Sequence, residues 1–162
     1  MSGEINIEKS LSKKEKYEQL IPQIAALIEN ENDLIANLAN ITSALKYGMN
    51  FFWVGFYFIK NNELVLGPFQ GTVACTRIGF GKGVCGAAWK EKKVIIVDDI
   101  EKFHRHIACS SESKSEIVLP VFDNKKNVFA VMDIDSDKLS AFDKTDEISL
   151  GEIVKLIEKK LL

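Results

Sequence analysis

Hydrophobic positions along the chain change period several times, and each change marks a predicted element. From Lys13 to Asn30, Tyr17, Leu20, Ile21, Ile24, Leu27 and Ile28 recur at helical spacing. Pro22 within that run predicts a kink or a first turn. Leu34, Ile35, Leu38, Ile41 and Leu45 form a second stripe, with Asn32 or Asp33 placed to cap it. The period then drops to two. Phe51–Lys60 and Glu63–Phe69 read as strands joined by Asn61-Asn62, a two-residue hairpin signal. Gly71–Gly86 reads as irregular, Val84–Glu91 as a short helix, Val94–Val97 as a strand and Ile100–Ser115 as a loop. Glu116–Phe122 and Val128–Asp135 read as a second hairpin around a polar turn, and Thr145–Leu161 as a closing helix. Two hairpins predict an antiparallel sheet, hence an α+β fold with helices packed on one face. The 162 residues show no repeat or linker, which predicts a flexible segment over 1–12 and a single domain over 13–162.

The first strand is apolar on one face, with Phe52, Val54, Phe56 and Phe58. The other face carries Phe51, Trp53, Gly55, Tyr57 and Ile59. Two aromatic rings with polar tips, separated by a residue without a side chain, suit the wall of a pocket as well as a core sheet. In the second hairpin, a turn centred between Asn124 and Lys125 would set Glu116 opposite Asp133, with Asp135 further along the same face. Like charges so placed repel, which raises a carboxyl pKa beside an apolar pocket. A one-residue slip would separate them.

Composition narrows the function. A net charge of −2 favours neither nucleic acid nor an anionic membrane. No apolar run nears the roughly 20 residues of a membrane helix, and the polar start Met1-Ser-Gly-Glu-Ile-Asn carries no signal core, so a cytoplasmic protein is expected. The three cysteines stand apart: Cys75 in Gly71-Thr-Val-Ala-Cys75, Cys85 in Gly81-Lys-Gly-Val-Cys85-Gly86, and Cys109 in His106-Ile-Ala-Cys109. An odd number leaves one thiol unpaired within the chain, and no CxxC pair suggests a zinc ribbon.

If Cys109 and the three carboxyls border one cavity, a soft thiolate nucleophile sits beside a proton donor. That pairing suits sulfoxide reduction, in which thiolate attacks sulfur and an acid protonates the departing oxygen. A sulfenic acid forms, and a second thiol, Cys75 or Cys85, closes a disulfide that an external dithiol reopens. Carboxylates would also hold an ammonium group, while backbone N–H groups at Gly81–Val84 could receive a carboxylate. The residues alone leave open an inert thiol, a cysteine hydrolase using His104 or His106, and a metal site. The last has no recognised ligand spacing among Cys75, Cys85, His104, His106 and Cys109.

These same segments carry a resemblance. Trp53-Val-Gly-Phe-Tyr57, Leu66-Gly-Pro-Phe-Gln-Gly71, Gly81-Lys-Gly-Val-Cys-Gly86, His106-Ile-Ala-Cys109, Ser113-Lys-Ser-Glu-Ile-Val-Leu-Pro120 and Asp133-Ile-Asp-Ser136 closely resemble the free methionine-(R)-sulfoxide reductases, a GAF-domain family. The resemblance implies a GAF fold: a central antiparallel sheet with terminal helices on one face and a ligand cavity under loops on the other. It implies free L-methionine (R)-sulfoxide as substrate, no bound cofactor, thioredoxin as external reductant, and often a homodimer. Cys109 matches the attacking cysteine, Cys75 the resolving one, and Cys85 an alternative partner. Glu116 and Asp135 match acids that polarise the sulfoxide, Asp133 and Asp99 acids around the amino group, and Trp53 and Tyr57 the wall for the S-methyl end. The chain departs from the family at Arg105, where glycine is usual, and at Ser110, where an acid is common. His104 is also unusual. A non-catalytic GAF sensor and a thiol redox switch are the competing readings.

Overall fold

The computed structural model describes residues 4–104 and 109–162. Its elements run α1 (Lys13–Ile28), α2 (Leu34–Met49), β1 (Trp53–Lys60), β2 (Glu63–Gln70), β3 (Arg77–Gly79), α3 (Gly83–Glu91), β4 (Ile95–Val97), a 3₁₀ turn (Ile100–Lys102), β5 (Ser115–Phe122), β6 (Val128–Ser136) and α4 (Lys144–Leu161). The six strands form one sheet in the order β3-β2-β1-β6-β5-β4, antiparallel at every pairing. The α+β expectation holds.

Local chemistry sets the boundaries. Ser12 and Glu15 form a capping box that starts α1, and Pro22 lies inside the helix rather than in its first turn. Asp33 caps α2, which ends at the left-handed Asn50. Lys46 Nζ then donates to the carbonyls of Phe51 and Phe52, at 2.8 and 2.9 Å. Those two residues are tied to the helix end, so β1 begins at Trp53 instead of Phe51. Asn61 and Asn62 both have positive φ, the conformation of a two-residue hairpin turn. The short β3 sits inside the segment that sequence alone reads as irregular. It has three residues and pairs only with the start of β2.

The sheet is covered on both sides, so all of Trp53–Phe58 is buried. On one side Val54, Phe56 and Phe58 pack with Leu20, Ile24, Leu38, Ile41, Leu45, Leu150 and Ile153 from α1, α2 and α4. A polar clip ties two of these helices: Asp146, fully buried at the start of α4, accepts from Tyr17 Oη at 2.7 Å and Lys13 Nζ at 2.5 Å. Asn6 and Glu8, in the segment before α1, donate their backbone N–H groups to the side-chain oxygens of Gln23 and Gln19. On the opposite side Trp53, Tyr57, Val118 and Val131 pack with Val84, Cys85 and Ala88 of α3. That second side carries the site.

Candidate active site

The register of the second hairpin differs from the sequence expectation. Glu116 pairs with Asp135, and Asp133 pairs with Val118. The turn centres on Lys125, and a bulge between Val121 and Phe122 adds one further residue, which together move the register by two. A shift of two preserves the face, because side chains alternate with that period. Glu116, Asp133 and Asp135 therefore still share one side of the sheet, as a diagonal and a direct neighbour of Glu116.

Above them a cavity of about 50 Å³ is lined by Trp53, Tyr57, Cys85, Cys109, Glu116, Asp133 and Asp135. Cys75 and Cys109 are joined in a disulfide, with Cα atoms 5.2 Å apart across 34 residues. The free volume holds a few waters at most. Eight of the nine residues singled out from the sequence thus meet around one hollow or its rim. Asp99 stands apart: its carboxylate caps the 3₁₀ turn by accepting from Glu101 N–H and pairs with Lys102 at 3.1 Å. The turn it caps does contribute Ile100 to the cavity wall. His104 is exposed beside Phe103, whereas Arg105 and His106 lie outside the described residues.

The gap at Gly55 is not the empty space that alternation suggests. The Trp53 ring lies across it, so a β-carbon at Gly55 would overlap that ring and come within 2.7 Å of Phe69 Cβ. A β-carbon at Gly71, whose φ is +144°, would collide with the same ring from the loop side. Trp53 stacks on Phe69 and Tyr57, with ring centroids 5.4 and 6.2 Å away. Its Nε1–H donates to the Thr72 carbonyl at 2.9 Å, and Tyr57 Oη donates to the Cys75 carbonyl at 3.0 Å. Both aromatic tips thereby hold the loop that presents Cys75.

Electrostatics favour protonated acids. Burial, reinforced by the Asp133 charge, holds the Glu116 carboxyl well above the usual glutamate range. Burial and Asp133 do the same to Asp135, which the Ser113 hydroxyl partly offsets by donating to it. Burial raises Asp133 to about 6. No lysine or arginine among the described residues lines the cavity. The site thus takes up protons or accepts a cationic group. Cys85, buried on α3, points its Sγ at Glu116 Oε1 from 3.9 Å, and burial also lifts its thiol well above the ordinary value. The α3 N-terminus has no side-chain cap, and Gly83 and Val84 of its first turn line the cavity. Its free N–H groups are a place for a carboxylate.

Sequence reasoning missed Thr72 and Ser113 as supporting groups. Thr72 acts through its carbonyl, which no residue type reveals. Ser113 precedes β5 and so lies outside any strand alternation.

Comparisons with known proteins bear on this geometry. Residues 30–159 match the GAF domain model. GAF domain-containing protein A of Dictyostelium discoideum is 57% identical over 159 residues, covering 98% of this chain and 99% of that protein. The free methionine-R-sulfoxide reductase of Escherichia coli (strain K12) is 43% identical over 153 residues, covering 93% and 92%. The crystal structure of free methionine-R-sulfoxide reductase from Neisseria meningitidis in complex with its substrate superposes with a TM-score of 0.94 at 44% identity, over 98% of this chain and 95% of that one.

Proposed function

The chain belongs to the GAF-domain free methionine-R-sulfoxide reductases, which are oxidoreductases, and from that premise we propose that it reduces free L-methionine (R)-sulfoxide to L-methionine through Cys109. The observation that carries this reading is the Cys75–Cys109 disulfide closed over a hollow lined by buried Asp133 and by half-buried Glu116 and Asp135, both of which hold their protons well above the usual range. In the reduced protein the Cys109 thiolate attacks the sulfoxide sulfur. Glu116, held protonated by burial and with Asp135 opposite it, donates to the oxygen. The S–O bond breaks, methionine leaves, and the oxygen remains on Cys109 as a sulfenic acid. The Cys75 thiol then attacks that sulfur and releases water, giving the disulfide. Two thiols are oxidised and one sulfoxide is reduced.

The remaining residues bind. Asp133 takes the ammonium group, with Asp99 holding the turn behind Ile100. The α3 N-terminus takes the carboxylate, and Trp53 and Tyr57 face the S-methyl end. Cys85 stays reduced beside the acids while Cys75 resolves. Thioredoxin reopens the disulfide in the cytoplasm, and a homodimer of single domains over 13–162 is the working form. Free methionine sulfoxide of both epimers, incubated with the protein and a dithiol, should lose only the R form. Cys109→Ser should abolish turnover while retaining binding, and Glu116→Gln should lower kcat by about 10²-fold with little change in binding. Loss of the S epimer, or an unchanged rate in Glu116→Gln, would remove this mechanism.

A further inference from the structure

Cys85 lines the site and takes no part in the proposed reaction. Among the described residues, one ligand atom each from Cys85, Glu116 and Asp133 lie within 4.8 Å of one another. Asp133 is 6% exposed, and its Oδ1 is buried with no hydrogen-bond partner. That orphan oxygen calls for a partner, because a buried carboxylate oxygen without one is costly. An ammonium group satisfies oxygen acceptors but gains little from a thiol, which is a weak acceptor. The three together form a different kind of donor set: one sulfur and two carboxylate oxygens, with no basic residue among the described residues lining the cavity to compensate them.

We propose that Cys85, Glu116 and Asp133 form a binding site for a borderline-soft divalent cation of the zinc class, and that its occupation blocks the reductase site. The donor set selects the ion: carboxylates alone would suit magnesium or calcium, whereas the thiolate favours zinc or cadmium. The spacing is close to what such an ion needs. Zinc bonds sulfur at about 2.3 Å and carboxylate oxygen at about 2.0–2.2 Å, and two such bonds at the tetrahedral angle span about 3.5 Å. The Cys85–Glu116 separation is 3.9 Å, so a small side-chain shift closes the site. Binding releases the Cys85 and Glu116 protons to solvent, since a coordinating thiol and a coordinating carboxyl are both deprotonated. The fourth position faces the cavity and takes water. The ion then occupies both the proton donor and the ammonium acceptor, so metal and substrate exclude each other. The ligand set stands independently of the reductase reading. Only the inhibitory consequence rests on it.

The test uses the disulfide form, in which Cys75 and Cys109 cannot supply thiolates. Cadmium chloride titrated into it should give a thiolate-to-metal absorption band that saturates at one equivalent per chain, and zinc chloride should remove the band competitively. Cys85→Ser should abolish the band, and Asp133→Asn should weaken binding at least tenfold while the circular dichroism spectrum is retained. Absence of the band in the wild type, or wild-type affinity in Asp133→Asn, would overturn the site. In the reduced enzyme, zinc should raise the apparent KM for methionine sulfoxide, and Cys85→Ser should lose that effect. Cadmium binding without any reductase activity would sink the reductase reading and leave the metal site standing. Turnover unaffected by zinc at a saturated site would overturn the blocking role.

Discussion

Replacing Asp133 by Asn should stabilise the fold at neutral pH, although it damages the site. Burial lifts the Asp133 carboxyl from 3.8 in a model peptide to about 6. An acid with a raised folded pKa binds its proton more tightly in the folded state than in the unfolded one. The fold is therefore penalised as pH rises from about 3.8 to about 6. The penalty is complete above that window and absent below it. That rise in the carboxyl pKa corresponds to about 3 kcal/mol. Asn keeps the shape, removes the charge, and offers an amide that can donate to Glu116, two residues along the facing strand from its direct partner. For a chain of this size 1 kcal/mol moves Tm by about 2–4 °C, so Asp133→Asn should melt about 6–12 °C higher than wild type at pH 7.5. The gain should fall to a small fraction of that at pH 4, near the bottom of the window. Thermal melts followed by circular dichroism, with both proteins held in the disulfide form, measure this directly. A lower Tm at pH 7.5, or an advantage that persists undiminished at pH 4, would show that Asp133 is not under electrostatic load.

Cys75→Ser should release one equivalent of methionine per chain and then stall with thioredoxin, leaving a sulfenic acid on Cys109 that dimedone captures; steady turnover would move the resolving role elsewhere. Gly55→Ala forces a β-carbon into the Trp53 ring and Phe69, and should cost about 1–3 kcal/mol in denaturant unfolding together with a raised KM. An unperturbed KM would separate Trp53 packing from substrate binding. Tyr17→Phe removes the bond to buried Asp146 and should cost about 1.5–3 kcal/mol with kcat unchanged, because the clip lies on the far side of the sheet.

The fold was legible wherever one local rule dominated. The α1 and α2 stripes, the Asn61-Asn62 turn and the alternation in β1 each followed from spacing and turn chemistry alone. The grouping of Glu116, Asp133 and Asp135 was legible for a more robust reason. Strand period makes the face immune to a shift of two, even though the turn position and the bulge near Phe122 together changed the pairings of all three acids. What alternation could not reveal were effects of ring size and of the backbone. Gly55 marks a space in the sequence, but the neighbouring indole folds over to fill it. Phe51 and Phe52 look like strand residues, but Lys46 holds their carbonyls at the helix end. The short β3 has too few residues to show any period. The pairing of Cys75 with Cys109 rests on a distance between two loops 34 residues apart, which no spacing rule encodes.

The bridge between the two loops also acts as a turnstile. While it is shut, neither sulfur is a free thiolate, so no sulfoxide can be attacked. On the proposed reaction a spent chain cannot reload: product must depart and the reductant must arrive before the next sulfoxide enters. Such an enzyme shuttles between two forms that never hold both reactants at once. Double-reciprocal plots at several reductant concentrations should therefore run parallel.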